Sequence, residues 1–164
     1  MLFGDTVAIA LMQAKNLTKD QYAMNHSAGR NGKRLILRVA DVAKQNDIPL
    51  VTGDMKVMDI LVELSSKGKG CVLVVESLDS KKLLGTFTDG DLRRSLQKLG
   101  ESALKTAINE LMTGTPRTIK EEAMAVDAMN TMKEPTKVTF LPVVDEAGAV
   151  TGLVTLHDLV SAGI

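Results

Sequence analysis

The sequence predicts an α+β fold made of two copies of a β-α-β-β-α unit. Three observations carry that expectation. "GTFTDGDLRR" from Gly85 and "GLVTLHDLVS" from Gly152 share the pattern Gly-x-x-Thr-x-x-Asp, which sets Thr155 and Asp158 67 residues after Thr88 and Asp91. The runs before them follow the same order: Asp127 lies 68 residues after Asp59, and the "VVD" ending at Asp145 lies 69 after the "VVE" ending at Glu76. Finally, a unit of about 60 residues buries too little surface to stand comfortably alone, so the two are expected to pair through their sheets.

The elements follow in chain order. "GDTVAIALMQAK" (4–15) reads as a helix with Asp5 or Thr6 near its N-cap, apolar around most of its circumference from Val7 to Met12. "NLTKDQYAMNH" reads as a second short helix capped by Thr18, and "HSAGRNGKR" as a Gly-rich basic loop. From Arg38 the pattern turns regular. "RVADVAK" is a helical or extended lead-in, "IPLVTGD" a brief strand, and "MKVMDILVELSSKG" a helix with an apolar stripe at 57, 60, 61 and 64. "GCVLVVES" and "LLGTFT" are strands joined by the polar turn "DSKK", and "DGDLRRSLQKLG" is a helix ending at Gly100. "GESALKTA" (100–107) reads as a linker. The second unit repeats the order with "AINELM", "TPRTI", "AMAVDAMNTMKE", "VTFLPVVDE", "VTGLVT" and "LHDLVSAGI". The expected organisation is an N-terminal segment 1–37, a first unit 38–100 and a second unit 107–164.

Composition excludes several function classes. Twenty basic residues balance 20 acidic ones, so no global field draws the chain to nucleic acid or to a membrane surface. Four aromatic residues (Phe3, Tyr22, Phe87, Phe140) are too few for a base-stacking platform. No apolar run reaches the ~18 residues of a membrane span. The start carries Asp5 and no basic region, unlike a signal peptide. Cys71 is the single cysteine and sits in an apolar strand, which fits a reducing compartment: a cytoplasmic setting, or an organelle.

The doubled Thr/Asp pairs admit two compatible readings. A Thr followed three residues later by an acid is a helix capping box and needs no ligand. The same place suits a nucleotide, because helix N-termini favour phosphate and a carboxylate can grip a ribose diol. Asp89 adds negative charge beside Asp91, which disfavours phosphate unless Arg93, Arg94 or a lysine compensates. Arg93 and Arg94 could reach a phosphate as forked donors, although such a pair is commonly a solvated helix face. "GRNGKR" lacks the Ser or Thr after its Lys that a P-loop needs. His157 stands beside Asp158 with no second metal ligand in view, so no metal site is expected.

The repeated unit with its Gly-x-x-Thr-x-x-Asp junction resembles the CBS domain, and the two copies over 38–164 resemble a CBS pair, or Bateman module. That resemblance implies a pseudo-twofold axis between the units and two clefts, each able to take the ribose and phosphate of an adenosine nucleotide or a related ligand. Thr88, Asp91, Thr155, Asp158 and Arg93 are the implied ligand-binding residues. CBS pairs of this kind often form side-by-side homodimers. The longer stretch, from "GDTVAIALMQAKNLTKDQYAMNHSAGRNGKRL" into "GTFTDGDLRR", resembles the C-terminal half of D-arabinose 5-phosphate isomerases. In that family a sugar-isomerase (SIS) domain precedes the CBS pair and interconverts ribulose 5-phosphate and arabinose 5-phosphate on the route to Kdo. By this resemblance residues 1–37 are the tail of a SIS domain plus linker. His26, in His26-Ser27-Ala28-Gly29 where the family has His-Pro-Gly-Gly, matches its catalytic histidine and is expected to be inactive here. The expected function is a regulatory module sensing an adenosine nucleotide or a CMP-Kdo-like nucleotide-sugar, with no cofactor and no catalysis by this chain alone. Two alternatives are a ligand-free dimerisation scaffold and a part of an active isomerase completed by a SIS domain.

Overall fold

The structure, a computed structural model, describes residues 36–66 and 68–164. The stretches expected to form two N-terminal helices and a basic loop, His26 included, lie outside the described residues.

The first unit runs α1 (Val39–Val42), β1 (Leu50–Thr52), α2 (Val57–Ser66), β2 (Cys71–Val75), β3 (Leu83–Thr88) and α3 (Asp89–Leu99). The second runs β4 (Ile119–Lys120), α4 (Ala125–Lys133), β5 (Phe140–Val144), β6 (Val150–Thr155) and α5 (Leu156–Ser161). Each makes a three-stranded sheet, β1-β2-β3 and β4-β5-β6, whose first pair is parallel and second antiparallel. The register shift between Val74 and Val75 recurs between Val143 and Val144. The expected α+β fold of two β-α-β-β-α units is therefore present, down to its bulges.

The helices form where the sequence places caps and apolar stripes. Val57, Ile60 and Leu64 turn one side of α2 into the core of the first unit. Gly100 closes α3 at φ 59°, donating its N–H to the Leu96 carbonyl, a positive-φ conformation that a glycine adopts without a Cβ clash.

The stretch read as a linker differs. Gly100–Lys105 is a 3₁₀ helix in which Ala103 is fully buried and Leu104 packs on the first unit's core. Its two apolar side chains at adjacent positions give no periodicity to read, and only the neighbouring helices decide their burial.

The two lead-ins cross over. Val39 is fully buried in the core of the second unit, among Ala128, Met132, Leu141 and Leu159. Ile108, in the 3₁₀ turn Ile108–Glu110, is fully buried in the core of the first, among Val57, Ile60 and Phe87. Backbone bonds seal both crossings reciprocally: Lys44 and Leu153 exchange N–H to carbonyl bonds at 2.9 Å each, and Thr86 and Thr113 do so at 3.0 and 2.8 Å. A third cluster joins the sheets, with Leu73, Val75, Val144, Val150 and Leu153 between them. β2 is buried on both faces for this reason.

The axis relating the units passes between the hairpins. Lys82 and Ala149 bridge each other, and around them Leu83 N–H donates to the Gly148 carbonyl at 3.0 Å and Val150 N–H to that of Lys81 at 2.8 Å. Each bond is the other's repeat mate. Gly148 (φ 81°) and Lys81 (φ 51°) hold the same left-handed position, which glycine takes more readily than lysine.

Candidate functional site

β3 ends at Thr88 and β6 at Thr155, in extended conformation, and α3 and α5 begin on the next residue. In each, the Thr hydroxyl accepts the N–H of the Asp three residues on, at 3.2 Å for Asp91 and 3.1 Å for Asp158. One carboxylate oxygen returns the contact, accepting the Thr N–H and its hydroxyl: 2.8 and 2.7 Å at Asp91, 3.0 and 2.6 Å at Asp158. Both pairs are complete capping boxes.

The second carboxylate oxygens differ. Asp91 Oδ1 takes Arg94 Nη2 at 2.6 Å, one turn along its own helix. Asp158 Oδ1 faces Lys44 Nζ at 3.5 Å, a cation brought by the crossed lead-in of the other unit. Burial alone would push the Asp158 carboxyl up, but the Thr155 hydroxyl and N–H together with Lys44 outweigh it and hold the group below the usual carboxylate range.

The motif glycines serve the crossings. A Cβ at Gly85 would lie 2.5 Å from the Thr113 carbonyl oxygen and 2.6 Å from Met112 Sδ; at Gly152 it would meet the Lys44 carbonyl oxygen at 3.2 Å. Glycine lets the other unit's lead-in approach β3 and β6 closely.

Two clefts open beside these boxes. The first, about 660 Å³, is lined by Thr88, Asp89, Asp91, Lys69, Arg94, Arg117 and Lys137 among others, over a floor of Phe140 and Pro142. The second, about 540 Å³, has Thr155, His157, Lys44 and Lys69 on its walls. Of the residues expected to meet a ligand, Thr88, Asp91 and Thr155 line a cleft. Asp158 does not, and Arg93 is exposed outside both.

Sequence reasoning missed Arg117, Lys69, Lys137 and Lys44 at these sites, because each reaches its cleft through tertiary packing. Of the two arginines, it is Arg94 and not Arg93 that the structure sets against Asp91. Cys71 is buried in β2, and burial, with Lys69 acting against it and Asp89 with it, pushes its thiol up to about 12, so it is no nucleophile near neutrality. Among the described residues no group of three or more His, Cys, Asp or Glu side chains is placed to hold a metal ion. Among them, too, no helix is long and apolar enough to cross a membrane.

Doubled units, crossed lead-ins and paired clefts agree with a direct match: the family model described as "CBS domain" covers residues 39–98 and 108–164. The chain belongs to the CBS-domain family. Its CBS pair is similar in fold to CBSX2 in complex with AMP, with a TM-score of 0.65, 28% identity, and coverage of 77% of this chain and 95% of that one. In sequence it is 41% identical over 165 residues to the arabinose 5-phosphate isomerase GutQ of Escherichia coli O6:H1, covering all of this chain and 50% of that protein. It is 40% identical over 161 residues to the arabinose 5-phosphate isomerase KdsD of Francisella tularensis, covering 98% of this chain and 48% of that one. The chain thus spans about half the length of the curated relatives it matches.

Proposed function

We propose that this CBS pair is the regulatory half of an arabinose 5-phosphate isomerase and that its clefts sense an adenosine nucleotide or a nucleotide-sugar such as CMP-Kdo. The observation that carries the reading is the doubled Thr/Asp box beside two clefts, the larger lined by four cationic side chains. The isomerase relatives and the AMP complex of the CBSX2 neighbour support it. On this reading Thr88, with Asp91 and Arg94 on the wall, would meet a ribose and phosphate in the first cleft, and Thr155 would do so in the second. Chemistry would belong to a SIS domain, with His26 the residue matching that family's catalytic histidine. Sensing requires that the ligand favour one arrangement of the pair over another, since a ligand binding two states equally shifts neither.

A thermal-shift screen against AMP, ATP, S-adenosylmethionine, CMP-Kdo and arabinose 5-phosphate tests this. A ligand at a hundred times its dissociation constant adds about 2.7 kcal/mol of stability. A shift with a nucleotide that is lost in the Asp91→Ala, Asp158→Ala double variant supports the reading. A flat screen, or a shift that survives the double variant, ends it.

A second reading, a homodimer through CBS surfaces, rests on α2. Met58 and Val62, one turn apart, are 55% and 73% exposed, with Leu78 also open at 58%. Light scattering on a chain starting at Arg38 decides it: a dimer that Val62→Asp dissociates places the interface there, whereas a monomer ends the reading.

A further inference from the structure

Strand pairing puts a cation in one cleft that the repeat does not supply to the other. In the first unit Leu73 donates its N–H to the Pro49 carbonyl at 2.8 Å, so β1 meets β2 from Leu50 onward. The place of Leu73 in the second unit is held by Pro142, which has no N–H, and β4 meets β5 only from Ile119 and Val143. The chain just before β4 is therefore released from the sheet, and Pro116 and Arg117 line the first cleft. By strand register position 117 answers to Pro49, so the second cleft has no counterpart of this arginine.

The side chain of Arg117 is half-buried and held only by neutral acceptors. Nη1 donates to the carbonyls of Thr131, at 2.6 Å, and Glu134; Nη2 donates to the carbonyl of Thr136 and to its Oγ1 at 3.3 Å. Among the described residues no carboxylate pairs with it, and no acceptor faces its Nε. Carbonyls orient a guanidinium and satisfy its protons without cancelling its charge. A half-buried charge left uncompensated acts more strongly on an anion than one in open water. Arg94, by contrast, is spent on Asp91.

We infer that Arg117 is the residue by which the first cleft selects a phosphorylated ligand over its unphosphorylated parent, an inference that rests on the ligand-sensing reading above. Carbonyls of the last turn of α4 and of the connection to β5 fix the guanidinium in advance, so that a phosphate meets a fixed, uncancelled charge. The second cleft, with Pro49 at the matching position, discriminates less.

The test is calorimetric titration of wild type, Arg117→Gln and Arg117→Lys with AMP against adenosine and CMP against cytidine, at one ionic strength. Wild type is expected to bind one nucleotide at least about tenfold tighter than its nucleoside. Arg117→Gln, whose amide still donates to a carbonyl, brings that ratio near one while nucleoside affinity stays. Should that variant not fold, Arg117→Lys decides, because it keeps the charge but cannot reach all the carbonyls that fix it, and is expected to lower the ratio severalfold. A ratio unchanged in the folded variant overturns the inference. So does an equal fall for nucleotide and nucleoside, which would make Arg117 a tether of the connection alone. A wild type that binds nucleotide no tighter than nucleoside, or binds none of the four, also overturns the inference, whereas the ligand-sensing reading itself falls only if the thermal-shift screen is flat as well.

Discussion

Thr88 and Thr155 cap their helices in the same way, but their acids are steadied by different parts of the molecule. Replacing either Thr by Ala removes one capping oxygen and is expected to cost about 1 kcal/mol in a chemical-denaturation series. Asp158 also ties stability to pH. Its folded pKa is depressed, so its contribution is full above the unfolded value of about 3.9 and is lost as pH falls through the lower folded value. Asp158→Asn should therefore be less stable than wild type at neutrality, with the difference shrinking below about pH 4 when unfolding is followed against pH. Lys81 offers an opposite change. It holds a left-handed conformation where its repeat mate is Gly148, so Lys81→Gly should add up to about 1 kcal/mol of stability after the entropy of a freer unfolded chain is counted, read as a higher melting midpoint.

Elements were legible wherever one local signal sufficed. Strands β3 and β6 coincide with "LLGTFT" and "VTGLVT", because a Thr cap ends each strand and starts the next helix at the same residue. The helix α2 showed its buried stripe in its spacing. The role of the motif glycines was not legible, since the obstacle to a side chain comes from a segment far along the chain. Gly85→Ala should destabilise strongly, by about 2 kcal/mol or more, for its methyl would press on a backbone oxygen at 2.5 Å. Gly152→Ala, with 3.2 Å to the equivalent oxygen, should cost distinctly less. Melting curves of the two variants side by side check the order, and equal costs would remove the close-approach explanation. The linker shows the same limit from another side: "GESALKTA" carries no pattern of its own, and its 3₁₀ turn exists because Ala103 and Leu104 have a core to enter.

At the scale of the molecule, the crossed lead-ins make two repeats into one body. Val39→Ala, a few residues into the first repeat, should loosen the second unit: hydrogen exchange is expected to quicken in α4, β5 and β6 before β2 and β3, with a loss of about 2 kcal/mol. Ile108→Ala should do the reverse, in α2 and β2. Exchange quickening in the variant's own repeat instead would contradict the crossing. The sequence by itself determined the repeat, the order of elements, the two capping boxes and the family they resemble, since each is written within a few residues or in a simple offset. Only the tertiary structure decided which lead-in enters which core, which cation steadies each aspartate, and that Arg117 rather than Arg93 faces a cleft. Those outcomes depend on contacts between residues tens of positions apart, and on one missing N–H at Pro142 that lets a neighbouring strand start late.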